Sequence, residues 1–408
     1  MDVVLRSVSP MPVVTMVGGG QLARMTHQSA IALGQCLRVL AASEDDPAAQ
    51  VSADVVIGSH ERLDDLRRSA AGANVLTFDH EGVPVAHLEA LEAEGVAVRP
   101  PSKALRFAQD KLAMRTRLTA LGLPVPDFAD LAGDRAAARG VLREFGAQHR
   151  WDVVLKAVRG GYDGRGVWLV DDEQQALDLF DRADASTRLM VEARVSMRRE
   201  LSALIARSPF GQGAAWPVVE TIQRQGQCAV VVAPAPGLAP DVAEQAQQMA
   251  LRLAEELGVI GVMAMELFET ADGGLVVNEL AMRPHNSGHW SMDGAITSQF
   301  EQHLRAILDY PLGPTDIVAG PVVMANVLGA AQAPAMSMDE RVHHLMARLP
   351  EAKLHLYGKG ERPDRKIGHV NIVGAPGASV DEVRERAERA ATWLSTARWT
   401  DGWDVHGE

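Results

Sequence analysis

The feature that most limits how this chain can fold is a glycine-rich segment, Arg159–Gly166, between two predicted β-strands, Val153–Val158 and Val167–Val170. Its glycines free the backbone to fold over a ligand and to direct N–H groups at phosphate oxygens. It is not a P-loop, because it lacks Gly-Lys-Ser/Thr and a strand, not a helix, follows it. We predict a hairpin lid over nucleotide phosphates, with Lys156 as a cation in reach. A flexible surface hairpin is the alternative.

A second hairpin, Val262–Leu280, carries two glutamates and contains Asp272-Gly273, a dipeptide typical of a two-residue type I′ turn. A turn centred there pairs residues whose numbers sum to 545, which places Glu266 directly opposite Glu279. Two carboxylates that close repel each other unless one is protonated or a cation lies between them. The pattern therefore predicts a Mg²⁺ site bridged to nucleotide phosphates. The alternatives are a splayed surface pair, or a turn centred on Gly273-Gly274, which would make the two glutamates only diagonal neighbours.

The loop after this hairpin, Arg283–Trp290, is dense in hydrogen-bonding side chains and contains Gly and Pro, which indicates a shaped binding loop. It lies within reach of any cation held by the two glutamates. The spacing of His285 and His289 is compatible with zinc, but no cysteine or third ligand accompanies them, so we favour anion binding. Strict strand alternation predicts that Asn278 faces away from the glutamates.

A short basic cluster near the C-terminus contains Lys359, Arg362, Arg365 and Lys366. It is either a solvated turn or a phosphate-binding loop. The whole chain has a formal net charge of −13, which argues against broad binding of nucleic acid or of an anionic membrane. A local basic cluster in such an acidic chain is therefore a candidate site for a small anionic ligand.

The N-terminal region predicts a parallel sheet flanked by helices. A strand, Val13–Val17, runs into the turn Gly18–Gly20, a helix is predicted over Gln21–Leu33, and a second strand follows at Leu37–Ala41. The segment Gly18–Ala23 matches the Gly-x-Gly-x-x-Ala fingerprint for dinucleotides, and acidic residues follow the second strand. A nicotinamide-dependent dehydrogenase is therefore the runner-up hypothesis, although it leaves the lid, the glutamates and the basic cluster unexplained.

Further along, the apolar spacing predicts one helix over Leu105–Leu121 and an amphipathic helix over Asp241–Gly258, with Gly258 at the position after its end. The length of 408 residues suits two or three domains. The sequence contains no run of about 20 apolar residues that would cross a membrane, and its start does not resemble a secretory signal. Cys36 and Cys228 cannot form a disulfide framework, so we expect a reducing cytoplasm.

Five strings occur in order: Gly18-Gly-Gly-Gln-Leu-Ala-Arg-Met25, Gly160-Gly-Tyr-Asp-Gly-Arg-Gly166, Gly261-Val-Met-Ala-Met-Glu266, Asn278-Glu-Leu-Ala-Met-Arg-Pro-His-Asn-Ser-Gly-His-Trp290 and Arg362-Pro-Asp-Arg-Lys-Ile-Gly-His369. Together they resemble the ATP-dependent 5-(carboxyamino)imidazole ribonucleotide synthases of the ATP-grasp superfamily. The resemblance spans roughly residues 12 to 375. It argues against a sister ATP-grasp ligase or formyl-transferring enzyme, and the presence of the key charged residues argues against an inactive homologue.

The resemblance implies an α/β chain with the ATP-grasp fold. Its predicted parts are a Rossmann-like pre-ATP-grasp domain (1–112), a small lobe with the lid (113–193), a large lobe with the Mg-ATP site (194–320) and a small C-terminal portion (321–408). It also implies a homodimer and the reaction. ATP phosphorylates bicarbonate to carboxyphosphate, and the amine of 5-aminoimidazole ribonucleotide captures the carboxyl group, a step of purine biosynthesis.

The resemblance also implies site roles. The predicted ATP-binding residues are Lys111, Lys156, Gly161, Gly164, Arg165, Gly166, Glu192, Glu200, Asn278 and Glu279. Among them, Glu192 would contact the adenine and Glu200 the ribose. The predicted ligands of Mg²⁺, or of Mn²⁺, are Glu266 and Glu279. Arg283, His285 and Asn286 would orient bicarbonate, with Tyr162 and Asp163 closing over it. The predicted ribonucleotide-binding residues are Gln21, Leu22, Glu81, Lys359, Arg362, Arg365 and Lys366. Departures from the family pattern are Lys111 in place of Arg, Gly82 in place of Asn and Met282 in place of Pro.

Overall fold

The computed structural model describes residues 11–160, 166–184 and 186–403. The strands are β1 (Val13–Val17), β2 (Cys36–Ala41), β3 (Asp54–Ile57), β4 (Val75–Phe78), β5 (Phe128–Asp130), β6 (Val153–Ala157), β7 (Val167–Val170), β8 (Leu189–Ala193), β9 (Met197–Arg207), β10 (Gly213–Ala215), β11 (Val219–Arg224), β12 (Gln227–Ala233), β13 (Gly261–Thr270), β14 (Leu275–Ala281), β15 (Val322–Leu328), β16 (Lys353–Leu356) and β17 (Lys366–Val373). The helices are α1 (Gln21–Ala32), α2 (Leu63–Ala70), α3 (Val85–Ala93), α4 (Ser102–Gln109), α5 (Lys111–Ala120), α6 (Arg135–Gln148), α7 (Glu173–Arg182), α8 (Pro240–Leu257), α9 (Ser291–Gly294), α10 (Gln299–Ile307), α11 (Met338–Arg348) and α12 (Val380–Thr396).

The N-terminal sheet is parallel, as predicted, with strand order β3-β2-β1-β4. Its central strand β1 is buried along its whole length, which explains why the sequence there is a continuous apolar run. In such sheets, ligands bind beyond the carboxyl ends of the strands. Those ends of β1 and β4 open into the cleft described below.

The second sheet is antiparallel, with order β5-β8-β6-β7. Strands β6 and β7 pair directly, Val153 with Val170 and Lys156 with Val167, so the glycine-rich segment does connect two strands of one hairpin. Helices α6 and α7 pack against each other beside this sheet. This small unit has its own apolar core, which includes Leu142, Phe145 and Leu155.

The third sheet has nine strands, in the order β14-β13-β9-β11-β12-β15-β17-β16, with β10 paired to β9. Strands on both sides of residue 321 belong to it, because β15 pairs with β12. The C-terminal portion therefore extends a sheet that began in the preceding segment, and the four-part division of the chain remains a prediction. None of the described helices has both the length and the hydrophobicity that crossing a membrane requires.

The single helix predicted over Leu105–Leu121 is wrong, because the structure has two helices, α4 and α5, that meet at Asp110. Asp110 adopts an extended backbone (φ −129°, ψ 103°), and its carboxylate accepts a hydrogen bond from the N–H of Ala113 at 2.9 Å. Asp is a favoured N-cap residue because it satisfies such a free backbone donor. The apolar spacing of the sequence continues through Asp110, so the spacing did not reveal that one helix ends and another begins there.

The amphipathic helix predicted near Asp241 is present as α8, and Gly258 ends it in the left-handed conformation with φ of 68°. We expect Gly258→Ala to lower the free energy of unfolding by about 1 kcal/mol, because a Cβ disfavours this conformation. Gly140 is the matched control. It lies inside α6, where an added Cβ meets nothing within 4 Å.

We therefore expect Gly140→Ala to raise the free energy of unfolding by about 0.5–1 kcal/mol, because Ala is the better helix former. Urea unfolding followed by circular dichroism measures both changes. Shifts of the same sign in the two variants would contradict the conformational argument.

Candidate active site

The three sheets surround one cleft of about 1740 Å³. Its walls come from the glycine turn after β1, the β6–β7 hairpin, β8, and strands β9, β13 and β14 with the loop that follows β14. Most residues predicted for the site line it: Gln21, Leu22, Glu81, Lys111, Lys156, Glu192, Glu200, Glu266, Asn278, Glu279, Arg283, His285, Asn286 and Lys366. Residues far apart in sequence therefore meet in one space.

The β13–β14 hairpin places Glu266 directly opposite Glu279, as predicted. The predicted two-residue turn is nevertheless wrong. Thr270 and Gly274 close a three-residue loop, in which Gly273 is left-handed with φ of 82°, so the pairing near the loop is one residue away from the predicted register. A β-bulge at Asn278 shifts the register back by one residue before the glutamates.

The bulge also overturns the prediction that Asn278 faces away from the glutamates. Asn278 lines the cleft, and its Oδ1 lies 3.5 Å from Nζ of Lys156. A bulge breaks the strict alternation of a strand, so neighbouring side chains can reach the same face. Asn278 and Glu279 thus both present oxygens to the cleft.

The carboxylate of Glu266 is in an unfavourable position for a charge. Burial, together with the neighbouring charges of Glu279 and Glu200, raises the pKa of Glu266 to about 8. His285 Nε2 lies 3.3 Å from its Oε1. Burial lowers the pKa of His285 to about 3, so the ring is neutral and this contact is not an ion pair. Lys111 and Lys366 lower this pKa, but burial and the two neighbouring carboxylates outweigh them, so the site favours a proton or a further cation there.

Lys111 provides the nearest positive charge to the other carboxylate, since its ammonium forms an ion pair with Glu279. Among the described residues, no three His, Cys, Asp or Glu side chains are grouped as metal ligands. Two facing carboxylates beside an amide oxygen suit a hard cation such as Mg²⁺, which usually takes one or two carboxylates and completes its shell with phosphates and water. The residues present fit that cation.

Lys156, the cation predicted to bind phosphates, forms an ion pair with the buried Glu192, which in turn pairs with the buried Arg115. Its Nζ lies 2.7 Å from Oε2 of Glu192, and Arg115 contacts both oxygens of Glu192 at 2.7 and 3.2 Å. Burial disfavours the anion, but Arg115 and Lys156 together hold the pKa of Glu192 below its usual value. The group of three keeps one net positive charge beside the cleft. Sequence reasoning missed Arg115, although it lies one helical turn after Lys111.

On β9, in the third sheet, Glu200 also lines the cleft, and Gln223 donates a hydrogen bond from Nε2 to its Oε2 at 3.0 Å. Burial raises the pKa of Glu200. The predicted contacts of Glu192 with adenine and of Glu200 with ribose stay predictions.

The glycine turn after β1 is filled by a side chain of the protein itself. Gly20 donates its N–H to Oδ2 of Asp79 at 2.5 Å, and a Cβ on Gly18 would lie 1.7 Å from Oδ1 of the same carboxylate. Burial raises the pKa of Asp79 to about 6. A carboxylate at this place repels a pyrophosphate, so the geometry argues against the dehydrogenase hypothesis. Asp79 was missed, although it directly follows a buried strand of a parallel sheet, where site residues are expected.

The predicted ribonucleotide-binding residues divide into two groups. Lys359 contacts Oε1 of Gln21 beside the glycine turn, and Lys366 lines the cleft. By contrast, Arg362 is exposed, and neither it nor Arg365, which donates to the carbonyl of Gly360 at 3.1 Å, lines the cleft. Glu81 is bound by Arg283, with 2.7 Å between Oε2 and Nε.

Gly161, Tyr162, Asp163, Gly164 and Arg165 lie outside the described residues, so their predicted roles stay predictions. Gly166 is described and has a left-handed φ of 71°. That conformation, close to the start of β7, is one that glycine adopts at little cost.

Because the pKa of Glu266 is raised, we expect the stability of the metal-free protein to depend on pH. A carboxyl whose folded pKa is raised contributes stability below its unfolded pKa, near 4.5, and loses it as the pH rises through about 8. Glu266→Gln cannot ionise, so we expect its melting temperature to exceed that of the wild type by an amount that grows from pH 5 to about pH 8.

The control is Glu256→Gln, which removes an exposed glutamate paired with Arg117 at 3.3 Å. Calorimetry in the presence of a chelator measures both variants. A difference between Glu266→Gln and wild type that stays constant over this range would contradict the raised pKa.

Models of three domain families match successive parts of the chain. Residues 11–109 match the ribonucleotide synthetase preATP-grasp domain, residues 116–300 match the ATP-grasp domain, and residues 322–386 match the phosphoribosylaminoimidazole carboxylase C-terminal domain.

Named relatives match over nearly the whole chain. The N5-carboxyaminoimidazole ribonucleotide synthase of Mycobacterium bovis is 63% identical over 97% of this chain and 90% of its own length. The solved structure of the Thermus thermophilus synthetase has a TM-score of 0.82 at 34% identity and covers 96% of this chain and 100% of its own. That of the Aspergillus clavatus synthase, in complex with ADP and 5-aminoimidazole ribonucleotide, has a TM-score of 0.84 at 28% identity and covers 94% and 98%. The chain therefore belongs to the N5-carboxyaminoimidazole ribonucleotide synthase family of ATP-grasp enzymes.

Proposed function

We propose that this protein uses ATP and bicarbonate to carboxylate 5-aminoimidazole ribonucleotide to N5-carboxyaminoimidazole ribonucleotide, through carboxyphosphate, in de novo purine biosynthesis. The observation that carries the proposal is the single cleft, which joins Lys156 and the glutamate pair to the Arg283–Trp290 loop and the glycine turn. The Aspergillus clavatus relative, solved with ADP and this ribonucleotide, supports the substrate assignment.

In the first step, a bicarbonate oxygen attacks the γ-phosphorus of ATP, and the bond from that phosphorus to the ADP oxygen breaks. This step needs positioning and neutralised charge rather than a covalent nucleophile. Lys156, together with the positive charge of Arg115 that Glu192 links to it, would face the phosphates. Mg²⁺, or Mn²⁺, held by Glu266 and Glu279 would supply further positive charge at the phosphate oxygens. Arg283 and His285 line the cleft beside that pair, where bicarbonate would be oriented.

In the second step, the exocyclic amine of the ribonucleotide attacks the carboxyl carbon of carboxyphosphate. A carbon–nitrogen bond forms, the bond from carbon to the phosphate oxygen breaks, and the amine loses a proton. Lys359, which contacts Gln21, and Lys366, which lines the cleft, would hold the phosphate of the ribonucleotide, and Glu81 would lie near it. A lid formed by residues 159–166 would exclude water, which shortens the life of carboxyphosphate.

The proposal includes a homodimer that works in the cytoplasm on small-molecule substrates, without a nucleic-acid or membrane partner. The family resemblance supports the dimer, and the net charge of −13 supports the absence of broad nucleic-acid binding. Analytical ultracentrifugation measures the oligomeric state directly.

The decisive experiment measures ADP release with Mg-ATP and bicarbonate, with and without 5-aminoimidazole ribonucleotide. We expect strong stimulation by the ribonucleotide. Glu279→Gln should lower the stimulated rate by about 10²-fold or more, because it removes a carboxylate from the cation site. Glu256→Gln should keep the wild-type rate.

If the folded protein binds ADP but the ribonucleotide does not stimulate it, the substrate assignment fails and an ATP-grasp enzyme with another acceptor remains. The same assay with formate in place of bicarbonate distinguishes the proposed function from the formyl-transferring alternative. An enzyme of that kind would release ADP with formate and not with bicarbonate.

A further inference from the structure

The loop that carries Arg283 and His285 is fastened to the protein by one buried side chain that no motif predicted. Gln299 is the first residue of α10, and its side chain is fully buried behind this loop, outside the cleft lining. It lies 14 residues after His285 in sequence. The hydrogen bonds of its side chain go to His285 and His289 of this loop.

The amide of Gln299 holds the backbone of His285 from both sides. The His285 N–H donates to Oε1 of Gln299 at 2.8 Å, and Nε2 of Gln299 donates to the carbonyl of His285 at 2.8 Å. A backbone N–H can only donate, so the oxygen of the amide must face it. The orientation of the amide is therefore settled by the protein itself.

The same Nε2 lies 2.9 Å from Nδ1 of His289. Because the amide nitrogen is a donor, Nδ1 of His289 must accept, and the ring proton must be on Nε2. Burial holds the pKa of His289 well below its usual value, so the ring is neutral. Gln299 thus selects one tautomer of a fully buried histidine in the wall of the cleft.

Close packing keeps this arrangement rigid. A Cβ on Gly288 would lie 2.3 Å from Oε1 of Gln299, so the loop can approach the amide only as glycine at this position. The backbone N–H of Gln299 donates to Oγ of Ser291 at 2.9 Å, and that hydroxyl donates to the carbonyl of Gly288 at 2.6 Å. These two hydrogen bonds link the Arg283–Trp290 loop to the start of α10.

The fastened backbone decides where the His285 ring stands. Nδ1 of that ring accepts from the backbone N–H of Ser287 at 3.3 Å and lies 2.9 Å from its hydroxyl. The ring proton is therefore on Nε2, which faces Glu266 at 3.3 Å. A shift of the His285 backbone would move this donor away from the carboxylate.

We propose that Gln299 is a positioning residue for the reaction: it fixes the backbone that presents His285 to Glu266 and fixes the tautomer of His289. The kinetic consequence rests on the proposed function, whereas the tautomer does not depend on any activity. A one-ångström displacement of a reacting group can lower a rate about 10²-fold, which sets the expected size of the effect.

The informative variant is Gln299→Glu, which keeps the shape but removes the N–H donors. The carbonyl of His285 then loses its donor, and Nδ1 of His289 faces an oxygen. We expect kcat for stimulated ADP release to fall about 10²-fold. KM for ATP should change little, because β8 and β9 are untouched. In nitrogen-15 spectra of labelled histidines, we expect the His289 proton on Nε2 in wild type and on Nδ1 in the variant.

Gln302 gives a matched control on the same helix. It is also fully buried, and its amide holds Gly313 in the same two-sided way, with Nε2 donating to the carbonyl at 2.8 Å and Oε1 accepting from the N–H at 2.9 Å. Gly313 does not line the cleft. Gln302→Glu should lose stability and yet keep both the wild-type kcat per folded molecule and the wild-type His289 spectrum.

Equal losses of kcat in the two variants would show a merely structural role and overturn the proposal. So would a wild-type spectrum with the His289 proton on Nδ1, a measurement that needs no variant to fold; the His289→Gln spectrum assigns the signal. If the wild type shows no stimulation by the ribonucleotide, the proposed function fails, while the spectra still decide the positioning of the two histidines.

Discussion

The carboxylates of Glu266 and Glu279 face each other across β13 and β14, and much of the site compensates their mutual repulsion. Lys111 is drawn to one of them, and the neutral ring of His285 contacts the other. On the opposite face of β13, Met265 and Leu267 pack into the largest apolar core, so the strand cannot turn its glutamate outward without exposing them. The core thus holds the two charges together.

At Lys156, too, neighbouring side chains compensate a charge that burial disfavours. A lone ammonium that is mostly buried would tend to lose its proton, since burial lowers the pKa of Lys156. Glu192 partly offsets that effect, and Arg115 forms an ion pair with Glu192, so the formal charge of the three groups next to the cleft is +1. Charges arranged before the ligand arrives stabilise a transferring phosphoryl group without reorganisation during the reaction.

The two ends of the cleft come from sheets of different kinds. The parallel N-terminal sheet contributes the carboxyl ends of its strands, where Asp79 fills the glycine turn and Lys359 lies beside it. The large antiparallel sheet contributes the glutamate pair and the loop that Gln299 fastens. A substrate that spans both ends must therefore contact residues more than 200 positions apart in the sequence. Arg283 and Glu81, which are that far apart, contact each other within the cleft.

Patterns local to the sequence determined much of this protein. The β6–β7 hairpin, the parallel N-terminal sheet and the helix that ends at Gly258 follow from periodicity, glycine positions and turn residues within a few dozen positions. The predicted pairing of Glu266 with Glu279 is present, but only because the bulge at Asn278 compensates the longer turn. The motif strings further identified the family, because they combine in one order. These features depend on short-range backbone geometry, which a sequence displays directly.

Only the tertiary structure decided the features that depend on contacts between distant segments. The bulge at Asn278 corrects a turn that is one residue longer than predicted, and it is set by pairing along the whole strand. Asp79, Arg115 and Gln299 carry no motif, and their roles arise because other segments bring Gly20, Glu192 and His285 to them. Buried polar groups must find partners wherever the fold supplies them, and spacing along the chain does not reveal which partner that will be.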